Sequence, residues 1–297
     1  MSKQRIFKLV YIIILILFTI FVLVDTFLIP KRKAKIEKQE RIEEIEEYIS
    51  ERLSTNTTYK DNDININIET IVRNESNVYV ADIQLSDIKY LKAAFAKDEF
   101  GRNIKENTST IAQNNNAILA INGDYYGFRD YGYVLRNGVI YRDIKNPDKK
   151  QQDLVIYTDG RFEIVYENDV DINNLKNKGA WQVISFGPGL IINGEITVDK
   201  DQEVAISSPS NPRTAIGIID DKHYVFVVSD GRTDVSKGLS LMQLAECMKE
   251  LGCKQAYNLD GGGSTTMYFD GTVMNVTTSG SKIEERKVSD ILYIGRQ

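Results

Sequence analysis

The chain has 297 residues, a formal net charge of −5, and 42% hydrophobic against 27% charged residues. This length allows one large domain or two ordinary ones, with a sizeable core in either case. The small negative charge, without a cluster of Lys and Arg beyond the N-terminal segment, argues against nucleic-acid-binding proteins, so we predict no nucleic-acid partner.

The N-terminal segment is strongly apolar. Residues Leu9 to Val24 are apolar apart from one Thr, and Phe27 to Ile29 extend the run to the roughly 20 residues that a helix needs to cross a bilayer. We predict a short cytoplasmic tip and one transmembrane anchor in residues 1–30. A cleaved signal peptide is the alternative, but no A-x-A-like site precedes Pro30. Basic residues flank both ends and their count mildly disfavours export, so charge alone leaves the topology open.

Residues 31–63 are charged and polar, and we predict a helical stalk followed by a linker from Ser54 to Asp63. The apolar residues of the stalk recur at helical spacing: Ile42, Ile45, Ile49 and Leu53. This stripe is shorter than the three or four heptads of a convincing coiled coil. It leaves open a weak self-association through the stalk.

Residues 64–297 are predicted to form the main domain. Apolar residues alternate from Ile64 to Leu85, and later short apolar runs are bounded by Asp, Gly or Asn, as in strands. These runs are "AILAIN", "DLVIYT", "YVFVV" and "ILYIG". A weaker helix is predicted from Asn107 to Asn114. The fold class is therefore α+β, a mixed many-stranded sheet domain with a few helices.

The clearest helix follows Ser240. Ser240 and Gln243 match the S-x-x-Q capping box, an apolar stripe follows, and Gly252 supplies the stop. Cys247 and Cys253 are six residues apart around the end of this helix, so we predict two packing thiols and no disulfide.

Four loops combine Asn or Asp with Gly at the ends of predicted strands. They are "INGDYYG" (121–127), "NPRTAIG" (211–217), "SDGRT" (229–233) and "NLDGGGST" (258–265). Each alone is an ordinary turn composition. Four together, two with an Arg beside the turn, indicate a site assembled from loops at strand ends.

The triple glycine of the last loop suggests an anion nest. Glycines accept φ > 0 and present no side chain, so the N–H groups of Gly261, Gly262, Gly263 and Ser264 are predicted to converge on an anion. The spacing matches neither a P-loop nor a dinucleotide fingerprint.

The residue inventory excludes several mechanisms. His223 is the only histidine and has no motif around it, which argues against a Ser-His-Asp triad and against a zinc site. Oxygen-ligated Ca²⁺ or Mg²⁺ is the one conceivable metal, and we predict no metal or other cofactor. Carboxylates, arginines, amides and hydroxyls remain, and they suit glycosidic and phosphate-ester substrates.

The loops, with the helix "GLSLMQLAECMKELGC", the segment "WQVISFGPGLIINGE" and the late "RKVSDILYI", resemble the phosphodiester glycosidase family in order over residues 64–296. The family includes the lysosomal uncovering enzyme that removes N-acetylglucosamine from sugar-1-phosphodiesters. Asp124 departs from the family, in which many members have "INGG" at this point. The predicted anchor and stalk lie outside the resemblance.

The resemblance implies hydrolysis of the bond between an anomeric carbon and a phosphodiester oxygen. Because a phosphate leaving group needs little protonation, arginines can replace the acid of ordinary glycosidases. The implied residues are Asp260, Asp230 and Asp124 for catalysis, Arg213 and Arg232 as a phosphate clamp assisted by the nest, Arg286 as a further phosphate ligand, and Asn122 as an orienting residue.

The expected substrate is a phosphorylated glycan of a bacterial cell envelope or exopolysaccharide. The expected location is the cell membrane, with a single span and an extracellular catalytic domain. Two alternatives stay open. One is a non-catalytic surface protein that binds anionic or phosphorylated glycan, and the other is a phosphodiesterase that cleaves the P–O bond, although such enzymes commonly use metal pairs.

Overall fold

The computed structural model describes residues 3–24, 42–43, 57–199, 210–280 and 282–296. The chain divides into two units, residues 1–47 and 48–297. The first contains helix α1 (Lys3–Leu23), which is long and apolar enough to cross a membrane; a signal sequence has the same features. The predicted stalk lies outside the described residues, except residues 42 and 43, which are helical.

The second unit contains many strands and few helices, which confirms the predicted α+β class. Its helices are α2 (Thr108–Asn114), α3 (Ile172–Asn177) and α4 (Leu241–Glu250). Its strands are β1 (Thr58–Lys60), β2 (Ile64–Arg73), β3 (Ser76–Leu85), β4 (Leu91–Phe95), β5 (Leu119–Asn122), β6 (Val134–Arg136), β7 (Val139–Arg142), β8 (Gln152–Tyr157), β9 (Phe162–Tyr166), β10 (Ala180–Ile184), β11 (Gly189–Ile192), β12 (Glu195–Ile196), β13 (Arg213–Asp220), β14 (His223–Ser229), β15 (Gln255–Asn258), β16 (Met267–Phe269), β17 (Thr272–Val273), β18 (Thr278–Ser279), β19 (Lys282–Ile283) and β20 (Asp290–Ile294).

The strands form three large sheets and one two-stranded ribbon, β18-β19. The strand orders are β1-β2-β3-β14-β13-β15-β11-β12, β7-β6-β10-β8-β9 and β17-β16-β5-β20-β4. Strand β13 runs antiparallel to its neighbours β14 and β15, and β5 runs antiparallel to its neighbours β16 and β20. Thr58–Lys60, which the sequence placed in the linker, pairs with Asn65–Asn67, so the large sheet begins before Ile64.

The three sheets share one hydrophobic core. Alternate residues of β2, such as Ile64 and Ile66, point into it with residues of the other two sheets, including Leu154 and Leu292. The period of two puts the neighbouring residues of each strand on the opposite face. Each outer face is covered by one helix: α4 on the eight-stranded sheet, and α2 and α3 on the two five-stranded sheets.

Helix α4 begins and ends as the sequence predicted. The Ser240 hydroxyl accepts from the Gln243 amide, and the Gln243 side chain accepts from the Ser240 amide, so the capping box is present. Gly252 has φ of +81°, the left-handed conformation that ends many helices. Cys247 and Cys253 are free and buried. Because α4 leads into β15 and α2 leads into β5, both helices precede strands that end at the site described next.

Candidate active site

The four predicted loops meet at one end of the sheets. Arg213, the first residue of β13, pairs with Ser229, the last residue of β14, and Asn258 at the end of β15 pairs with Ala215. The loop after β15 then enters β16 of a second sheet, where Met267 pairs with Ile121 of β5. The ends of β5, β14 and β15 and the start of β13 are thereby placed together.

Asn122, the last residue of β5, joins these loops to one another. Its fully buried side-chain amide donates to the Asp260 carbonyl at 2.6 Å, and its Oδ1 accepts from the Thr214 hydroxyl at 2.8 Å and from the Thr266 amide at 3.2 Å. Asn122 therefore holds the backbone of the glycine loop, a structural role beside the ligand-binding role that the sequence suggested.

Asp260 carries a carboxylate that solvent partly reaches, with 13% of its side chain exposed. Its Oδ1 accepts from the Gly261 amide at 2.9 Å, and its Oδ2 accepts from the Ser264 hydroxyl at 2.6 Å and from Arg286 Nη2 at 3.1 Å. Burial raises the pKa of Asp260, and the Arg286 charge and these hydrogen bonds oppose the rise. The carboxylate is thus oriented on both oxygens by a short loop and one arginine.

Arg286 lies over the glycine loop with 44% of its side chain exposed. Its guanidinium donates to the Ser264 hydroxyl from Nε and Nη2 and to the Gly261 carbonyl from Nη2 at 3.1 Å. The structure therefore brings together Asp260, Ser264 and Arg286, all of which the sequence predicted as site residues.

The predicted amide nest is not formed as expected. The Gly261 amide donates to the Asp260 carboxylate, the Gly262 amide to the Pro212 carbonyl at 2.8 Å, and the Ser264 amide to the Gly261 carbonyl at 3.3 Å. These three N–H groups are used inside the protein, because the loop tightens into a short 3₁₀ turn.

The glycines instead permit close approach. A Cβ at Gly262, where φ is +60°, would lie 2.9 Å from Arg232 Nη2, and one at Gly263 would lie 3.3 Å from Arg286 Cδ. A Cβ at Gly261 would lie 2.9 Å from the Pro212 carbonyl oxygen. The triple glycine thus lets two guanidinium side chains lie directly on the loop.

Arg232 and Arg213 occupy different environments. Arg232 is exposed, and its Nε and Nη2 donate to Asn211 Oδ1 at 3.0 and 2.7 Å. Arg232 lies against Gly262 and Arg286 lies against the neighbouring Gly263. Burial, and next the charge of Arg286, lower the pKa of Arg232. Arg213 is only 3% exposed and its Nε donates to the Leu239 carbonyl at 2.9 Å. Arg232 is thus exposed beside the glycine loop, whereas Arg213 is buried beneath it.

Asp230 and Asp124 are buried, at 1% and 3% exposure. Asp230 accepts from the Val276 amide at 2.8 Å and the Tyr79 hydroxyl at 3.2 Å, and burial raises its pKa to about 7. Asp124 accepts from the Tyr126 amide, the Ser185 amide and Arg136. Both predicted catalytic carboxylates therefore bind protein groups on both oxygens, and their placement differs from that of the partly exposed Asp260.

The sequence reasoning missed a buried ion cluster behind the site. Arg136 bridges Asp124 at 3.0 Å and Asp290 at 2.8 Å, and all three side chains are at most 2% exposed. Burial raises the pKa of Asp290 to about 7, and Arg136 opposes the rise. No local motif marks Arg136. Asn211, which orients Arg232, was also missed, although it stands in the same "NPRTAIG" segment as Arg213.

Within the described part of the chain, no group of three or more His, Cys, Asp or Glu side chains has the geometry of a metal site. What the arrangement offers is one oriented carboxylate, two exposed guanidinium groups beside it and a buried hydroxyl between them. Such a set suits an anionic ester, whose charge the guanidinium groups neutralise while the carboxylate acts on the adjacent atom.

A comparison with protein families matches residues 115–295 to the family described as phosphodiester glycosidase. Among curated proteins, the chain is 29% identical over 200 residues to the SPbeta prophage-derived uncharacterized protein YomE of Bacillus subtilis (strain 168), covering 66% of this chain and 30% of that protein. It is 30% identical over 104 residues to N-acetylglucosamine-1-phosphodiester alpha-N-acetylglucosaminidase of Mus musculus, covering 31% of this chain and 20% of the mouse protein. The chain therefore spans less than a third of the length of these curated relatives.

Solved structures share the fold. The zebrafish N-acetylglucosamine-1-phosphodiester alpha-N-acetylglucosaminidase catalytic domain, auto-inhibited by its pro-peptide, superposes with a TM-score of 0.62 at 23% identity, covering 82% of this chain and 85% of that one. A hypothetical protein from Synechocystis superposes with a TM-score of 0.55 at 15% identity, covering 81% and 64%.

Proposed function

Because the chain belongs to the phosphodiester glycosidase family, we propose that it hydrolyses the bond between the anomeric carbon of a sugar and a phosphodiester oxygen. The observation that carries this proposal is the contact of the Asp260 carboxylate with Arg286, with the exposed Arg232 on the same glycine loop. A phosphodiester presents one negative charge next to an electrophilic carbon. The guanidinium groups match the negative charge, and the Asp260 carboxylate matches the electrophilic carbon.

In the proposed reaction, the C1–O bond breaks and its electron pair passes to the phosphate, while water supplies a hydroxyl to C1 and a proton to the products. Arg232 and Arg286 neutralise the phosphate as it leaves, so no separate acid is needed. Asp260 acts on the anomeric carbon, as nucleophile, as base for water or as electrostatic partner of the oxocarbenium-like transition state. Asp230 and Asp124 take no direct part in this scheme, because their side chains are buried and both oxygens of each accept hydrogen bonds from the protein.

The contact between Asp260 and Arg286 is compatible with substrate binding. An ion pair in which one partner is 44% exposed is held weakly, and a guanidinium has five N–H donors. A phosphate oxygen can therefore bind Arg286 while Ser264 and the Gly261 amide keep Asp260 oriented.

The variant Asp260→Asn tests this proposal. We expect it to lower turnover of a sugar-1-phosphodiester by about 10³-fold or more while the protein stays folded, because the amide keeps the shape and loses the charge. Asp159→Asn is the matched control, since Asp159 also lies 3.1 Å from an arginine, Arg161, on an exposed hairpin. Near wild-type turnover in Asp260→Asn would remove Asp260 from the chemistry.

Labelled water separates this reaction from its alternatives. Hydrolysis in H₂¹⁸O is expected to put the label in the released sugar, because the C–O bond breaks. Label in the phosphate would instead indicate a phosphodiesterase. Binding of phosphorylated glycan without turnover of any member of a panel of sugar-1-phosphodiesters would favour the non-catalytic alternative.

We further propose that helix α1 anchors the protein in a cell membrane, with the 48–297 unit outside and acting on envelope or exopolysaccharide glycans. The support is the length and apolar composition of α1. N-terminal sequencing of the mature protein distinguishes an uncleaved anchor from a signal peptide, and protease treatment of intact cells reports on which side the second unit lies.

A further inference from the structure

A cavity of about 660 Å³ lies at the end of strands β4 and β20 that is far from the candidate active site. Its lining includes Lys89, Tyr90, Lys92, Asn137, Trp181 and Arg296. Asp290 starts β20 and its carbonyl accepts from the Gly123 amide, next to Asn122 of the site. Ile294 ends β20 and pairs with Leu91 at the cavity. Four residues of strand, about 13 Å, therefore separate the two places.

Lys92 supplies this cavity with a cation that has no counter-charge. The side chain is half-buried, and among the residues that the structure describes no hydrogen bond or ion pair involves its ammonium group. Burial lowers the pKa of Lys92. A partly desolvated ammonium group interacts more strongly with an anion than a fully hydrated one does. An anionic ligand would therefore gain from this position.

Two further cations flank the ring of Tyr90. Lys89 Nζ lies 5.1 Å and Arg296 Cζ lies 5.8 Å from the ring centroid. Both have carboxylate partners, which are Asp87 for Lys89 and Asp61 and Asp63 for Arg296. Because these two charges are already compensated, Lys92 is the cation that an added anion would neutralise.

Trp181 gives the cavity an aromatic wall. Its Nε1 donates to the Leu91 carbonyl at 2.7 Å, which fixes the position of the indole. A Cβ built at Gly138 would lie 3.6 Å from the Trp181 ring, so the missing side chain at this position leaves that part of the ring uncovered. An aromatic ring fixed beside polar groups is typical of a pocket that orients a ligand ring.

The free edge of β4 argues against a peptide strand as the occupant. This strand is the last of its sheet. The Asn137 side chain accepts from the Ala93 amide at 3.0 Å and donates to the Ala93 carbonyl at 2.8 Å, and Trp181 donates to the Leu91 carbonyl. These side chains use the backbone groups with which an added strand would pair. The aromatic wall and the uncompensated cation instead favour a ring that carries a negative charge.

We propose that this cavity is a second ligand site, which binds a sugar ring that carries an anionic group. The ring packs on Trp181, and its anionic group binds the Lys92 ammonium. The site is independent of the proposed hydrolysis, because its lining shares no residue with Asp260, Arg232 and Arg286.

Tryptophan fluorescence tests this site directly. Trp181 is the only tryptophan of the chain, so its emission reports on the cavity. The full-length protein in detergent is titrated with glucose 1-phosphate, glucose, inorganic phosphate and triglutamate. We expect glucose 1-phosphate to change the emission with a Kd about tenfold or more below that of each other probe, because only it combines a ring with a phosphate. Unchanged emission with glucose 1-phosphate, or an equal Kd for any other probe, would overturn the proposal.

The variant Lys92→Gln tests the charge. It keeps most of the length of the side chain and removes the cation, so we expect glucose 1-phosphate to bind about tenfold more weakly and no better than glucose. Lys222→Gln is the matched control, because Lys222 is also half-buried and lies outside the lining. It should keep the wild-type Kd. The same Kd in Lys92→Gln as in the wild type would contradict the assignment.

Two measurements separate the cavity from the reaction site. The fluorescence titration should be unchanged in Arg286→Gln, and Lys92→Gln should keep kcat/KM for a sugar-1-phosphodiester within about twofold of the wild type. A lost fluorescence response in the first variant, or lost turnover in the second, would merge the two sites and overturn the proposal. If the wild type turns over no such ester and yet glucose 1-phosphate changes the Trp181 emission as expected, the hydrolase proposal fails and the second site stands.

Discussion

At the scale of single residues, Arg213 and Arg232 show how one predicted role divides into two. Both flank the glycine loop, and both were expected to bind phosphate through the planar fork of the guanidinium. The structure buries Arg213 to 3% exposure against the Leu239 carbonyl and leaves Arg232 exposed on Asn211. We therefore propose that the buried Arg213 supports the site and that the exposed Arg232 reaches the substrate.

The two Arg→Lys variants should therefore differ. Arg232→Lys is expected to lower kcat/KM by about 10- to 100-fold with little effect on stability, because one charge-assisted hydrogen bond contributes about 1.5–3 kcal/mol. Arg213→Lys is expected to lower the free energy of unfolding by about 1–3 kcal/mol, because the buried hydrogen bond from the guanidinium to the Leu239 carbonyl is lost and only the Asn211 amide still donates to that carbonyl. Steady-state kinetics and urea unfolding of both variants check this. A purely kinetic effect in Arg213→Lys would return that residue to the phosphate clamp.

At the scale of elements, a buried carboxylate at the end of strand β14 connects this strand to two other segments by hydrogen bonds. Asp230 follows Ser229 and accepts from the Val276 amide, so it ties the end of β14 to the segment after β17. It also accepts from Tyr79 of β3. These contacts bury the Asp230 carboxylate, and burial raises its pKa to about 7.

This element predicts a pH dependence of stability. In the unfolded chain Asp230 ionises near pH 3.9, and in the folded protein near pH 7, so the folded state holds the extra proton between these values. Stability is then lost as the pH rises through 7. The pKa of Asp290 is also raised to about 7, so its ionisation lowers stability over the same pH range. Asp230→Asn keeps an acceptor for the Val276 amide and can donate its NH₂ to the Tyr79 hydroxyl, which reverses that hydrogen bond. It should weaken the decrease in urea midpoint between pH 5 and pH 8. The same decrease in variant and wild type would contradict this assignment.

At the scale of the whole molecule, the large sheet of the second unit begins before Ile64, the first residue of the predicted main domain. Strand β1 (Thr58–Lys60) pairs with β2, and Asp61 accepts from the Tyr59 hydroxyl at 2.7 Å and from Arg296 Nη2 at 2.6 Å. These contacts join the first and last described segments of the second unit. A fragment that begins after them lacks an edge strand and one end of that junction.

Two soluble fragments test this boundary. The fragment 57–297 should fold and show the kcat/KM of the full-length protein, because the site lies entirely within it. The fragment 62–297 should be less stable by about 1–2 kcal/mol, since it lacks β1 and the hydrogen bonds of Asp61. Urea unfolding and activity of the two fragments measure the difference. Equal stabilities would indicate that β1 adds nothing to the fold.

Local patterns in the sequence determined the class of fold, helix α4 with its capping box, and the four loops that form the site. They did so because period-two alternation, caps and turn residues act over a few neighbouring positions. The order of the loops and the residues within them also carried the family resemblance, which the family comparison confirmed.

Only the tertiary structure determined which of the three carboxylates is accessible to solvent. Asp260, Asp230 and Asp124 have similar loop sequences around them, yet long-range contacts with Arg286, Val276 and Arg136 gave each a different environment. The expected amide nest is likewise replaced, because the Gly262 amide donates to the Pro212 carbonyl and the side chains of Arg232 and Arg286 lie against the loop. Burial and charge pairing depend on residues far apart in the chain, so no local pattern of residue types determines them.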